Sequence, residues 1–137
     1  MKRAGQIVLF TFPQTNLAHG KSRPALLIGQ LPGLYDDWLI CMISSQTHQS
    51  IDGFDEIMPD DTPEFAASGL KATSVIRIGR LAVIDGRLLA GAIGEISPER
   101  LHHIKSRLAT WLMRTSNDPT GFPAKRLGSS GSSGATA

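Results

Sequence analysis

A single cysteine, Cys41, excludes an internal disulfide. Its position inside the apolar run "DWLICMI" reads as a buried, inert thiol in a reducing cytoplasm. No apolar stretch approaches the roughly 18 residues of a membrane span. The N-terminal "IVLFTF" is short, β-branched and stops at Pro13, so it reads as a strand and not as a signal peptide. Glycine-rich phosphate loops of the P-loop or dinucleotide type are missing, as is a G-x-S-x-G nucleophile elbow. Four scattered histidines and one cysteine offer no zinc spacing, and His102 and His103, adjacent on a helix, diverge. Paired carboxylates with an acid/base role are lacking too. Any enzyme built from this inventory works without metal or cofactor, through arginines and hydroxyls. Such groups suit a reaction that moves negative charge around a phosphate.

What is present is an ordinary globular composition, 41% hydrophobic and 19% charged over 137 residues, enough for one compact domain. A net charge of +2 is too small to announce a polyanion partner, but the charge is unevenly spread. Asp52, Asp55, Glu56, Asp60, Asp61 and Glu64 form an acidic segment without a base. From Lys71 to Arg114 there are eight bases against three acids. That polarity could steer a polyanion to one face, or folding could bring the two segments together and cancel it.

Short apolar runs bounded by turn residues predict strands over Gln6–Phe12, Pro24–Gly29 and Trp38–Ser45, with an exposed polar loop over Ser45–Gly53. "FDEIMP" reads as a short edge strand. Asp and Thr caps before Pro63, closed by Gly69, suit a turn or two of helix. Two further strands are expected over Ala72–Gly79 and Arg80–Asp85, followed by a turn and another apolar segment. Ser97, Pro98 and Glu99 open a final amphipathic helix, whose Leu101, Ile104, Leu108, Trp111 and Leu112 should face the core. The elements indicate an α+β domain over residues 1–115, a small, mostly antiparallel barrel or sandwich with a helical insert and a C-terminal helix. Residues 116–137, Gly/Ser-rich from Gly128, read as a flexible tail or a cloning remnant.

One stretch asks for a functional reading. In "HGKSRPALLIG", Pro24 pushes Arg23 towards an extended backbone at the mouth of a strand. Arg23 is well placed there to aim a charge, although an isolated arginine serves equally as ordinary surface.

Three segments, "GQIVLFTFP", "GKSRPALLI" and "CMISSQ", together resemble the MazF/PemK family of toxin endoribonucleases. "SGLKATSVIRIGRLAVID" and "IGEISPERLHHIKSRL" are similar to later family elements, so the resemblance runs from Gly5 to Met113. It implies an SH3-like small β-barrel with attached helices, a homodimer, and a neutralising antitoxin. It also implies metal-independent cleavage of single-stranded RNA by 2′-hydroxyl attack, leaving a 2′,3′-cyclic phosphate and a 5′-hydroxyl.

Within that resemblance, Arg23 matches the catalytic arginine and Ser44 the usual catalytic threonine, keeping the hydroxyl but losing the rotamer-restricting methyl. Arg77 matches an arginine of RNA contact or catalysis. An acid that follows it in part of the family is replaced here by Gly79, which leaves the general base open, with His19 and His48 as local substitutes. Lys21, Ser22, Gln46 and Thr47 are RNA-contact candidates by loop position, and Phe12 and Phe54 candidate stacking surfaces. The alternatives are a non-catalytic nucleic-acid- or protein-binding relative and, on the same fold, a gyrase-poisoning toxin such as CcdB.

Overall fold

The computed structural model of the chain describes residues 1–11 and 22–114. Six strands alternate with short connections: β1 (Gln6–Thr11), β2 (Ser22–Gln30), β3 (Asp37–Ser44), β4 (Glu56–Met58), β5 (Ser74–Asp85) and β6 (Leu89–Glu95). Two helices, α1 (Pro63–Ser68) and α2 (Pro98–Met113), follow β4 and β6. Every strand pairing is antiparallel, in the order β4-β5-β3-β2-β1-β6. The expected α+β architecture holds, and "FDEIMP" supplies the edge strand β4.

The sheet does not close by strand pairing, since β4 and β6 are its two free edges. α1 lies against β6 where closure would otherwise occur. A side chain at Gly94 would collide with the backbone of Ala67 and Ser68, and one at Gly69 with the Ile93 carbonyl. Gly69 also ends α1 in the left-handed region at φ 74°, a conformation that glycine adopts without penalty. Two glycines thus let helix and strand meet backbone to backbone.

Both faces of the sheet are apolar, because strand side chains alternate sides. One face holds Ile7, Leu26, Cys41, Ile43, Ile76 and Ile78 beneath α2, which contributes Ile104 and Leu108. The other holds Val8, Phe10, Ala25, Leu27, Trp38 and Ile40, joined by Ala82 and Ile84. Ile76 and Ile78 thus serve the first face, and Ala82 and Ile84 the second, although all four are even-numbered. The two strands expected at 72–79 and 80–85 are in fact one strand with a bulge. Met42 pairs with Arg77 but Cys41 with Leu81, so residues 78–80 are extra, and an odd insertion flips the phase of everything after it.

The helix stripe needs a correction as well. Ile104 and Leu108 are buried, but Trp111 is 48% and Leu112 63% exposed. A 16-residue helix is about 24 Å long, and its last turn outruns the core below, where Trp111 makes a tilted contact with the Phe54 ring at 6.4 Å. Phe54 is itself core at 8% exposure, not the open stacking surface considered above. Phe12 and the 116–137 tail lie outside the described residues.

Folding also cancels part of the charge polarity. Glu56 and Glu64 of the acidic segment bind Arg100, Glu56 also meets Arg107 and His103, and Asp55 pairs with Arg77. Burial opposes ionisation of Glu64, yet the Ser97 N–H and the Arg100 guanidinium together hold its carboxyl below the usual carboxylate range. Cys41 is buried, and burial, reinforced by the Asp55 charge, pushes its thiol pKa far up, as an inert thiol requires.

Candidate active site

Pro24, third in β2, holds the chain extended at the strand's mouth, so Arg23 is displayed there exposed. Ala25 pairs with Met42, and Met42 with Arg77. Directly paired residues share a face, and positions two apart return to it. Arg23, Ser44 and Arg77, far apart in the chain, therefore stand on one face at one end of the sheet. They border a single cleft of about 650 Å³ together with Gln49, Gly79 and Arg80.

Each group in the cleft is held differently. Arg77 is braced: its Nη1 donates to Gln49 Oε1 at 2.8 Å, and its Nε lies 3.4 Å from Asp55 Oδ2. Asp55 is in turn fixed by two backbone donors, the Ile78 N–H at 2.9 Å and the Ile51 N–H at 3.0 Å. That arrangement pins the 45–55 loop to β5. Ser44 is half-buried, and its Oγ accepts the Gln46 N–H at 3.0 Å, which leaves the hydroxyl proton available to a ligand. Arg23 and Arg80 are exposed and make no ion pair with any described residue. Arg3, Arg77, Arg87, Arg100 and Arg107, by contrast, each have a carboxylate partner.

Gly79 has a packing reason. A Cβ at this position would stand 3.2 Å from the Phe54 ring, tighter than most real contacts, so the bulge favours glycine where part of the family carries an acid. Among the described residues no group of three or more His, Cys, Asp or Glu side chains gathers as a metal site.

A second cleft, about 750 Å³, adjoins the first and shares Arg23, Ile43 and Ser44 with it; Ser22 and Gln46 border it. The Ser22 hydroxyl lies 3.0 Å from that of Thr11 across the β1–β2 pair. Thr47 and His48 sit in the 3₁₀ turn Thr47–Gln49 and border neither cleft; the turn presents Gln49 to Arg77 instead. His19 and Lys21 lie outside the described residues.

A family model of the PemK-like, MazF-like toxins of type II toxin–antitoxin systems matches residues 3–112. The chain belongs to that family. Solved structures agree on the fold. A MazE–MazF complex from Deinococcus radiodurans superposes with a TM-score of 0.61 at 19% identity, covering 83% of this chain and 98% of that one. An endoribonuclease bound to its cognate antitoxin from a mycobacterial species gives 0.56 at 14%, covering 82% and 95%. The Mycobacterium tuberculosis toxin MazF-mt6 gives 0.57 at 15%, covering 78% and 95%. No curated protein matches this PemK/MazF-type chain in sequence.

Sequence reasoning missed three residues of the site. Arg80 could have been found, because a glycine inside a strand pattern signals a bulge that re-aims its neighbours. Gln49 and Asp55 carried no such signal, since their roles arise from contacts 28 and 23 residues away.

Proposed function

We propose that this chain is a toxin that cuts single-stranded RNA at the Arg23–Ser44 cleft. Two guanidinium groups without a described carboxylate, beside a hydroxyl with a proton to donate, carry this reading. Such a constellation suits an oxygen-rich anion whose charge grows in the transition state. A ribose 2′-hydroxyl attacks the neighbouring phosphorus, the bond to the 5′-oxygen breaks, and a 2′,3′-cyclic phosphate and a 5′-hydroxyl result. Arg23 neutralises the charge that builds on the non-bridging oxygens, and Ser44 donates a hydrogen bond to one of them. Arg77, held by Asp55 and Gln49, fixes the position of the strand. The described residues bordering the two clefts include no carboxylate or imidazole. The guanidinium, which stays protonated, acts by charge, and the departing 5′-oxygen takes up a proton as the attacking 2′-hydroxyl gives one up.

The reading includes a cognate antitoxin, a homodimer and action in the cytoplasm. Exposed Val83, Trp111, Leu112 and Met113 supply apolar surface for a protein partner. No described helix is long and apolar enough to cross a membrane.

The test is a long, weakly structured RNA incubated with the protein in EDTA, with product ends mapped. Discrete cuts with cyclic-phosphate and 5′-hydroxyl ends are expected, with Arg23→Ala slower by about 10²–10³-fold. Intact RNA from correctly folded, antitoxin-free protein would instead favour the non-catalytic binding relative.

A further inference from the structure

The second cleft is not needed to hold a phosphate at Arg23, yet it opens directly from that point. Its floor is aliphatic, from Leu9, Pro24, Leu70 and Ile93, and its polar edge includes Gln46 and Lys71. At about 750 Å³ it falls in the usual range of ligand clefts, about 300–1,000 Å³. Lys71 is exposed and, like Arg23 and Arg80, has no ion pair with a described residue.

The chain just before Lys71 is held by local contacts. Gly69 turns left-handed against the Ile93 carbonyl. Ser68 Oγ donates to the Phe65 carbonyl at 2.6 Å and accepts the Leu70 N–H at 3.1 Å. Lys71 follows this joint directly and borders the cleft.

A nucleotide has a matching pattern: a flat base with apolar faces and a hydrogen-bonding edge, flanked by phosphates on both sides. With one phosphate at Arg23 and Ser44, an adjoining nucleotide enters a cleft that continues from the same two residues. We propose that the second cleft is a nucleotide subsite next to the cut. The base rests on Leu70 and Ile93, the Gln46 side-chain amide reads its edge, and Lys71 holds its outer phosphate. The proposal rests on the RNA-cleaving reading above, gives Gln46 the part of a specificity determinant and adds Lys71 as a positioning cation. An aliphatic floor stacks less strongly than an aromatic one, so discrimination here falls mainly to the edge contact of Gln46.

Binding is measured with RNA in which each 2′-hydroxyl is replaced by fluorine, which removes the nucleophile, and cut sites are mapped on randomised natural RNA. Lys71→Ala should weaken binding roughly tenfold and lower the slope of log affinity against log salt by about 0.7, the loss of one phosphate contact. Gln46→Ala should relax base preference at one nucleotide beside the cut. Lys105→Ala, exposed on α2 and bordering neither cleft, should match the parent protein. Parent-like affinity and salt slope in Lys71→Ala, with cut-site preference unaltered in Gln46→Ala, would overturn the subsite while leaving cleavage at Arg23 standing. If the parent protein binds RNA without cutting it, the cleavage reading fails, and the affinity of Lys71→Ala still decides the subsite. Failure of the parent protein to bind RNA overturns both.

Discussion

Where β4 and α1 meet α2, Glu56 lies 2.7 Å from Arg100, 3.2 Å from Arg107 and 3.0 Å from His103, and Glu64 takes a second edge of Arg100 at 3.0 Å. Around the Arg23–Ser44 cleft the cations are as frequent, but Arg23, Arg80 and Lys71 meet no described carboxylate. The two regions use the same residue types to opposite ends. At the helix corner each guanidinium is consumed by an internal partner, and Arg107 Nη1 also donates to the Phe54 and Asp55 carbonyls at 3.0 and 2.9 Å. The corner is an anchor for α2. At the cleft the charge remains available, so an anion from outside supplies the missing partner. Pairing, not the count of bases, decides where a polyanion can settle, which is why a net charge of +2 said so little.

The comparison breaks most visibly at Glu56. Glu56→Ala should cost about 2–3 kcal/mol, less than breaking a fully buried pair because the guanidinium groups keep about a fifth of their surface in water. Thermal unfolding followed by circular dichroism checks this, and an unchanged melting temperature would deny the corner its anchoring role. RNA cleavage per folded molecule should stay at the parent level.

Asp55→Asn joins the two regions in one variant. Losing the carboxylate weakens the holds on the Ile78 and Ile51 N–H groups and frees Arg77, for about 1.5–3 kcal/mol. Unlike Glu56→Ala, it should also lower kcat/KM for RNA several-fold, because Arg77 borders the cleft. Equal effects of the two variants on cleavage would erase the distinction between anchor and site.

The smallest effect concerns acid. Glu64 has a folded pKa lowered from an ordinary value of 4.5, so its contribution to stability is complete above that value. It is lost as pH falls through the lowered folded pKa. Urea unfolding at pH 6 and pH 3 should show a larger drop for the parent protein than for Glu64→Gln, and equal drops would place Glu64 outside the anchor.

Much of the fold was legible because its causes are local. Short apolar runs bounded by turn residues marked β1 to β3, Pro63 and Gly69 bracketed α1, and Ser97 caps α2 by accepting the Arg100 N–H at 3.1 Å. The misreadings have non-local causes. Gly79 signals a bulge locally, but its length and its phase change show only against β3, and the exposure of Trp111 and Leu112 depends on where the core beneath the helix ends. That the sheet stays open in strand pairing has the same kind of cause, since α1 and not β4 lies against β6. Of the site, Arg23 could be singled out because Pro24 constrains it. Ser44 and Arg77 came only through the family resemblance.

By itself, then, the sequence determined the succession of strands and helices, and an arginine held on stiff backbone at a strand mouth. Propensities, caps and proline geometry act over a few residues, and a single chain displays them. The tertiary structure decided which cations are spent and which stay open, that Arg23, Ser44 and Arg77 share a face, and that a second cleft opens beside them. Those outcomes depend on pairings between residues tens of positions apart, such as Glu56 with Arg100 and Met42 with Arg77, and no local pattern encodes them.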